Sequence, residues 1–142
     1  MKITPYGHEF LSNRYGHVMV FRGETYPTAE NAFQASRFLS PDMRRKISYM
    51  PSYHAAYCGR TYRTTVPGWR EQRYAIMYEV LRAKFADREL AAKLKATGDA
   101  EIVMENNWHD NDFGVCTCRK CRHIENKKNV LGILLMRLRE EI

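Results

Sequence analysis

The sequence predicts an α+β fold, a single and mainly α-helical domain over residues 1–142 with a small antiparallel sheet at its start. Three observations predict it. An early hairpin signal precedes several stretches with helical apolar spacing between clear caps. The length of 142 residues suffices for one buried core without disulfide help. The hydrophobic share of 44% and charged share of 27% are those of an ordinary folded domain and exclude fibrous and extensively disordered classes.

Between Phe10 and Tyr26, Val18-Met19-Val20-Phe21 is the core of one extended piece. Arg22-Gly23-Glu24 turns tightly into a second at Thr25-Tyr26. Thr28 is a good N-cap, and the absence of Gly and Pro after it predicts a helix to about Leu39. Ser40 as cap and Pro41 at the first helical position open another. Ser52 caps a short helix toward Tyr57 that ends at Gly59. Thr61 to Gly68 reads as a polar loop, and Trp69 to Phe85 as a helix with apolar residues at 69, 76, 77, 80 and 81. Asp87 caps a helix carrying Leu90 and Leu94, which stops at Thr97-Gly98. Glu101 to Glu105 is a strand candidate, and Asn106 to Asn126 a long loop dense in Asn, Asp, His and Cys, the kind that is usually functional. A last helix opens near Asn129, with apolar residues at 130, 133, 134 and 138.

The charge departs from average: 23 Lys and Arg against 16 Asp and Glu give +7, which favours phosphate-bearing partners. The excess is local. Arg37 to Arg73 carries +6 and Cys116 to Lys128 carries +4, leaving −3 elsewhere. In the first segment Phe38, Tyr49, Tyr53, Tyr57, Tyr62 and Trp69 are interleaved with the cations, a pattern that suits both clamped phosphates with a stacked base and a solvated basic face over buried rings. Met1 to Phe10 lacks the apolar stretch of a secretory signal, and Val130 to Met136 is too short to span a bilayer. The expectation is a cytoplasmic protein with no membrane partner.

Glu30 is the leading candidate for chemistry. In the first turn of a helix its carboxylate is favoured in the ionised form, as a base, nucleophile or electrostatic stabiliser. Gln34 and Arg37 follow at i+4 and i+7, which puts carboxylate, amide and guanidinium on one stripe. The same stripe also suits a helix start facing water. Trp69, directly after Pro67-Gly68, projects its ring into a cleft to stack a base or packs in the core. Arg60 and Lys84 are candidate phosphate contacts, although isolated basic residues more often face solvent. No Walker loop, dinucleotide fingerprint, His-Glu-x-x-His motif or serine elbow is present.

Cys116, Cys118 and Cys121 with His123 two residues on, and His109 seven residues before the triplet, offer the soft ligands that tetrahedral zinc takes. Zinc on Cys116, Cys118, Cys121 and His123 stands against reduced thiols in a basic loop, because zinc sites more often pair two separate knuckles.

Phe10-Leu-Ser-Asn13, Gly23-Glu-Thr-Tyr26-Pro27-Thr28-Ala-Glu30-Asn-Ala-Phe33-Gln34, Gly59-Arg60, Trp69, Leu81-Arg-Ala-Lys84-Phe85, Thr97-Gly98-Asp99 and Asn129-Val-Leu131-Gly132 appear in order over nearly the whole chain. This set resembles the NADAR (YbiA-like) family. The resemblance implies a NADAR-like α+β fold and N-glycosidase activity with no required cofactor. It implies cleavage of a ribosyl C–N bond, releasing either ADP-ribose from modified guanine bases in nucleic acid or ribose phosphate from riboflavin-pathway intermediates. Its catalytic glutamate and tryptophan fall on Glu30 and Trp69. Asn13, Tyr26, Gln34, Arg37, Arg60, Lys84 and Asn129 become substrate-binding candidates. Many members carry Trp-Gly-Asp where this chain has Phe113-Gly114-Val115, so Asp112 or Asp110 is left to supply the late acidic group. A binding module for ADP-ribose or NAD without chemistry is the alternative that Val115 raises.

Overall fold

A computed structural model describes residues 1–142, with six strands and six helices. In chain order they are β1 (Lys2–Ile3), β2 (Met19–Phe21), β3 (Glu24–Tyr26), α1 (Ala29–Ala35), α2 (Pro41–Ser48), α3 (Ser52–Thr61), α4 (Trp69–Lys84), α5 (Arg88–Ala96), β4 (Glu101–Ile102), β5 (Glu105–Asn106), β6 (Val115–Cys116) and α6 (Val130–Glu141). They fall into two units, Asn13–Asp87, and Met1–Ser12 with Arg88–Ile142. No helix is long and apolar enough to cross a membrane.

In the Asn13–Asp87 unit, β2 and β3 pair antiparallel with Met19 opposite Tyr26 and Phe21 opposite Glu24. Arg22 and Gly23 between them both take positive φ, 52° and 80°. A two-residue turn of this kind matches the right-handed twist of the strands it joins. Arg22 then forks onto both carboxylate oxygens of Glu79 on α4 at 2.8 Å. Met19, Phe21 and Tyr26 are buried while Val20 between them is exposed, the period of a half-buried strand.

Thr28 caps α1 as its sequence position predicts, accepting from Asn31 N. The helix is shorter than expected and ends at Ala35. Ser36 N is shared between Ala32 and Phe33 carbonyls, and Arg37 N and Phe38 N bond three residues back, so the chain tightens out of the α form. Ser40 and Pro41 open α2 as expected. Helix α3 runs past Gly59, which serves a different purpose from a stop signal. A Cβ there would overlap the Gln34 side chain and stand 3.1 Å from Arg37 Nε. Glycine allows α3 to approach α1 closely. The threonine-rich loop is tied back to the end of α1 by Thr65 N and Val66 N, both donating to Arg37 O at 3.0 Å.

In the other unit, β1 pairs in parallel with β4, and β5 in parallel with β6. These pairs go beyond the single antiparallel sheet that the sequence predicts. Each strand is two residues long, too short to leave a period. Helix α5 ends at Thr97-Gly98 with Gly98 at φ 65°. Helix α6 packs against β4, and Gly132 is what lets it. A Cβ on Gly132 would overlap the carbonyl oxygen of Ile102. Asn129 stitches the same junction, donating from Nδ2 to Ile102 O at 2.9 Å and accepting at Oδ1 from Met104 N at 2.9 Å.

Candidate active site

The stripe expected on α1 is present and connected. Gln34 Nε2 donates to Glu30 Oε1 at 3.0 Å, and Gln34 Oε1 accepts from Arg37 Nε at 2.7 Å. Arg37 also donates to Thr64 Oγ1 at 3.1 Å, and its guanidinium carbon lies 4.0 Å from the centroid of the Trp69 ring. Carboxylate, amide, guanidinium and indole therefore form one chain of contacts. Burial lowers the Arg37 pKa and the Glu30 carboxylate opposes that shift. Glu30 itself is partly exposed, and its backbone N–H donates to Asn13 O at 2.9 Å.

Trp69 corrects one expectation. Its ring does not project into a cleft; the residue is 4% exposed. Arg37 lies over the ring, Phe33 packs against it at 5.3 Å between centroids, and Nε1–H donates to Ser36 Oγ at 2.9 Å. The residue is a core tryptophan with Arg37 lying over its ring, the second of the two arrangements that its sequence position allows. Phe38 is buried as well. The open rings of the basic segment are instead Tyr49, Tyr53, Tyr57 and Tyr62, each more than half exposed. Arg60, in the last turn of α3, is exposed as well.

Three substrate-binding candidates are engaged within the protein. Tyr26 is buried and donates its hydroxyl to Glu24 Oε2 at 2.6 Å. Burial first, and then that carboxylate, push its pKa upward, so the phenol stays protonated. Asn129 uses both ends of its amide on backbone groups, as described above. Lys84 is 1% exposed, with Nζ 5.2 Å and 5.8 Å from the Phe85 and Tyr15 ring centroids. Burial brings its pKa down to about 7. It is an interior amine, not the solvent-facing group that an isolated basic residue more often is. Asn13 differs from these three: it is buried, donates to Met77 Sδ at 3.3 Å, and leaves Oδ1 without a partner.

Asp110 and Asp112 belong to the other unit, in the loop between β5 and β6. Asp110 Oδ1 accepts from Asp112 N and Phe113 N at 3.0 Å each, which closes a turn. Asp112 is partly exposed and faces Lys128 Nζ at 3.9 Å. The cysteine triplet gathers in the same region with His109. The four donor atoms of His109, Cys116, Cys118 and Cys121 all lie within 4.8 Å of one another. His123, the expected fourth ligand, is exposed and lies outside this group. Spacing alone favoured His123, because it adjoins the triplet. His109 reaches it through a left-handed backbone turn at φ 70° that spacing does not reveal.

Comparison with known proteins follows the same outline. A family model described as NADAR domain matches residues 4–142. The chain is 37% identical over 127 residues to the N-glycosidase YbiA of Escherichia coli, a match covering 84% of this chain and 72% of that protein. It is 29% identical over 144 residues to a riboflavin biosynthesis protein of Vibrio vulnificus, covering 95% of this chain and 36% of that protein. Among solved structures, the NMR structure of the Escherichia coli protein YbiA is similar with a TM-score of 0.82 at 32% identity, covering 99% of this chain and 86% of that one.

Proposed function

The chain belongs to the NADAR family and is a hydrolase acting on N-glycosyl bonds; we propose that it cleaves the bond between a base nitrogen and C1′ of a phosphorylated ribose, with Glu30 as the catalytic carboxylate. The observation that carries this reading is the Glu30–Gln34–Arg37 chain, which gives a partly exposed carboxylate a fixed orientation.

Breaking the ribosyl C–N bond sends its electron pair to the departing nitrogen, which takes up a proton, while C1′ acquires oxocarbenium character and water adds to it. A fixed carboxylate lowers the energy of the positive charge at C1′ and accepts the proton of the attacking water. Gln34 holds Oε1 of Glu30, and Arg37 holds Gln34. Trp69 holds Arg37 and is a positioning residue. Asn13 Oδ1, a buried acceptor without a partner, takes a sugar hydroxyl, which removes the cost of leaving it unpaired. Arg60 contacts the phosphate.

Two substrates share this chemistry. A riboflavin-pathway intermediate carrying ribose phosphate is the first, supported by the name of the Vibrio relative. An ADP-ribosylated guanine in nucleic acid is the second, favoured by the exposed tyrosines at 49, 53, 57 and 62 among Arg45, Lys46, Arg60 and Arg63. Incubation with each, following the released sugar, tests the reading, and release from neither overturns it. Salt separates the two. Turnover of a nucleic-acid substrate weakens steeply as salt rises, because its phosphates release condensed counterions, whereas a small metabolite is affected little.

A further inference from the structure

We propose that His109, Cys116, Cys118 and Cys121 bind one structural zinc ion, independently of the glycosidase site. The geometry fits. A tetrahedral Cys3His centre has sulfur ligands at about 2.3 Å and nitrogen at about 2.0 Å, which sets ligand-to-ligand separations of about 3.4–3.8 Å. His109 Nδ1 already lies 3.3 Å from Cys118 Sγ and 3.4 Å from Cys121 Sγ, and no donor atom is more than 4.8 Å from another. Cys116 and Cys121 are fully or nearly buried, Cys118 is partly buried, and all are free thiols.

The surroundings are those of metal-bound thiolates. His109 N–H donates to Cys116 Sγ at 3.3 Å and Asn111 Nδ2 donates to Cys121 Sγ at 3.4 Å. Donors aimed at sulfur orient the ligands and stabilise the thiolate form. Asn111 Oδ1 in turn accepts from Cys116 N at 2.9 Å, and Lys127 Nζ donates to Cys116 O at 2.8 Å. Three thiols release three protons to solvent on binding, so the centre carries one net negative charge. The local excess of Arg119, Lys120, Arg122, Lys127 and Lys128 is the complement of that charge. Three thiolates with one imidazole fill all four tetrahedral positions and leave none for water, which selects zinc in a structural role.

The ligands come from the loop after β5, the end of β6, and the cap and last residue of the 3-10 turn Arg119–Cys121. An ion there clamps together a segment with little regular structure, and metal binding stabilises the folded state. Metal analysis of the full chain, purified without chelator, is expected to find one zinc per chain. His109→Ala, at an exposed position, and Cys118→Ser are expected to lose most of it with helical circular dichroism unchanged, and His123→Ala to keep it. Cobalt added to apo wild-type protein is expected to show the intense ligand-field bands of a tetrahedral thiolate site, which does not depend on any variant folding. Zinc below a tenth of an equivalent after incubation with excess ion overturns the proposal. So does a chain in which His123→Ala loses the metal while His109→Ala retains it, or a cobalt complex without thiolate charge-transfer bands.

Discussion

Gln34 donates to Glu30 Oε1 at 3.0 Å from one helical turn away, and at its other end accepts from Arg37 at 2.7 Å. The amide has one donor group and one acceptor group, and this arrangement uses both, so it has a defined orientation between carboxylate and guanidinium. Glu30 is thereby held by a group that is itself held.

Gly59 offers a way to disturb that chain from the neighbouring helix. A Cβ at Gly59 meets the Gln34 side chain, whose flexible end must leave its place. Gly59→Ala is expected to lower kcat by about tenfold or more, since misplacement of about 1 Å is costly in a site that works by orientation. The melting temperature is expected to fall only a few degrees. Unchanged steady-state kinetics in a folded Gly59→Ala protein contradict the role given to Gln34.

Trp69→Phe separates positioning from stacking. The substitution removes the hydrogen bond to Ser36 Oγ and part of the surface under Arg37. It is expected to cost about 1–3 kcal/mol in urea denaturation and to lower kcat with little change in KM. A rise in KM alone, with kcat intact, points to a ring that touches the base.

Lys84 makes stability depend on pH with a definite sign. Its pKa is about 7 in the folded protein against an ordinary value of 10.5. Between those values the unfolded chain holds a proton that the folded one lacks, so this group's contribution to stability improves as pH rises above 7. Below pH 7 both states are protonated and the cost of burying the charge is felt in full. Urea titrations at pH 7 and pH 9 are expected to show wild type gaining about 2 kcal/mol from this source. Lys84→Met removes that gain, and an equal gain in the variant contradicts the burial of a depressed amine.

Gly132→Ala tests the junction of α6 with β4. The new methyl meets a backbone carbonyl, Ile102 O, which cannot swing aside as a side chain does. The expected loss is about 1–3 kcal/mol, read as a lower urea midpoint. A neutral substitution shows that α6 can move away.

Much of this was legible because it rests on local chemistry. Arg22-Gly23 announces a hairpin, Thr28 and Ser40 announce caps, and the i, i+4, i+7 spacing of Glu30, Gln34 and Arg37 puts them on one stripe, where hydrogen bonds connect them. What escaped the sequence depends on approach between distant segments. Gly59 looks like a stop signal until α1 lies against it. Lys84 looks like a solvent-facing cation until packing buries it, Trp69 is left between cleft and core until Phe33 and Arg37 enclose it, and the parallel pairs of β1 with β4 and β5 with β6 are too short to leave a pattern. His109 and His123 are equally soft ligands, and only the fold distinguishes them.

The most direct test of the central claim is release of the sugar from an N-ribosyl phosphate substrate by wild type and by Glu30→Gln. The amide keeps the shape of the side chain and removes its charge. The account predicts release by wild type and a loss of about 10²–10³ in kcat for Glu30→Gln, the scale of losing one electrostatic group aimed at the transition state, with an unchanged circular dichroism spectrum. A Glu30→Gln protein that turns over at the wild-type rate contradicts it.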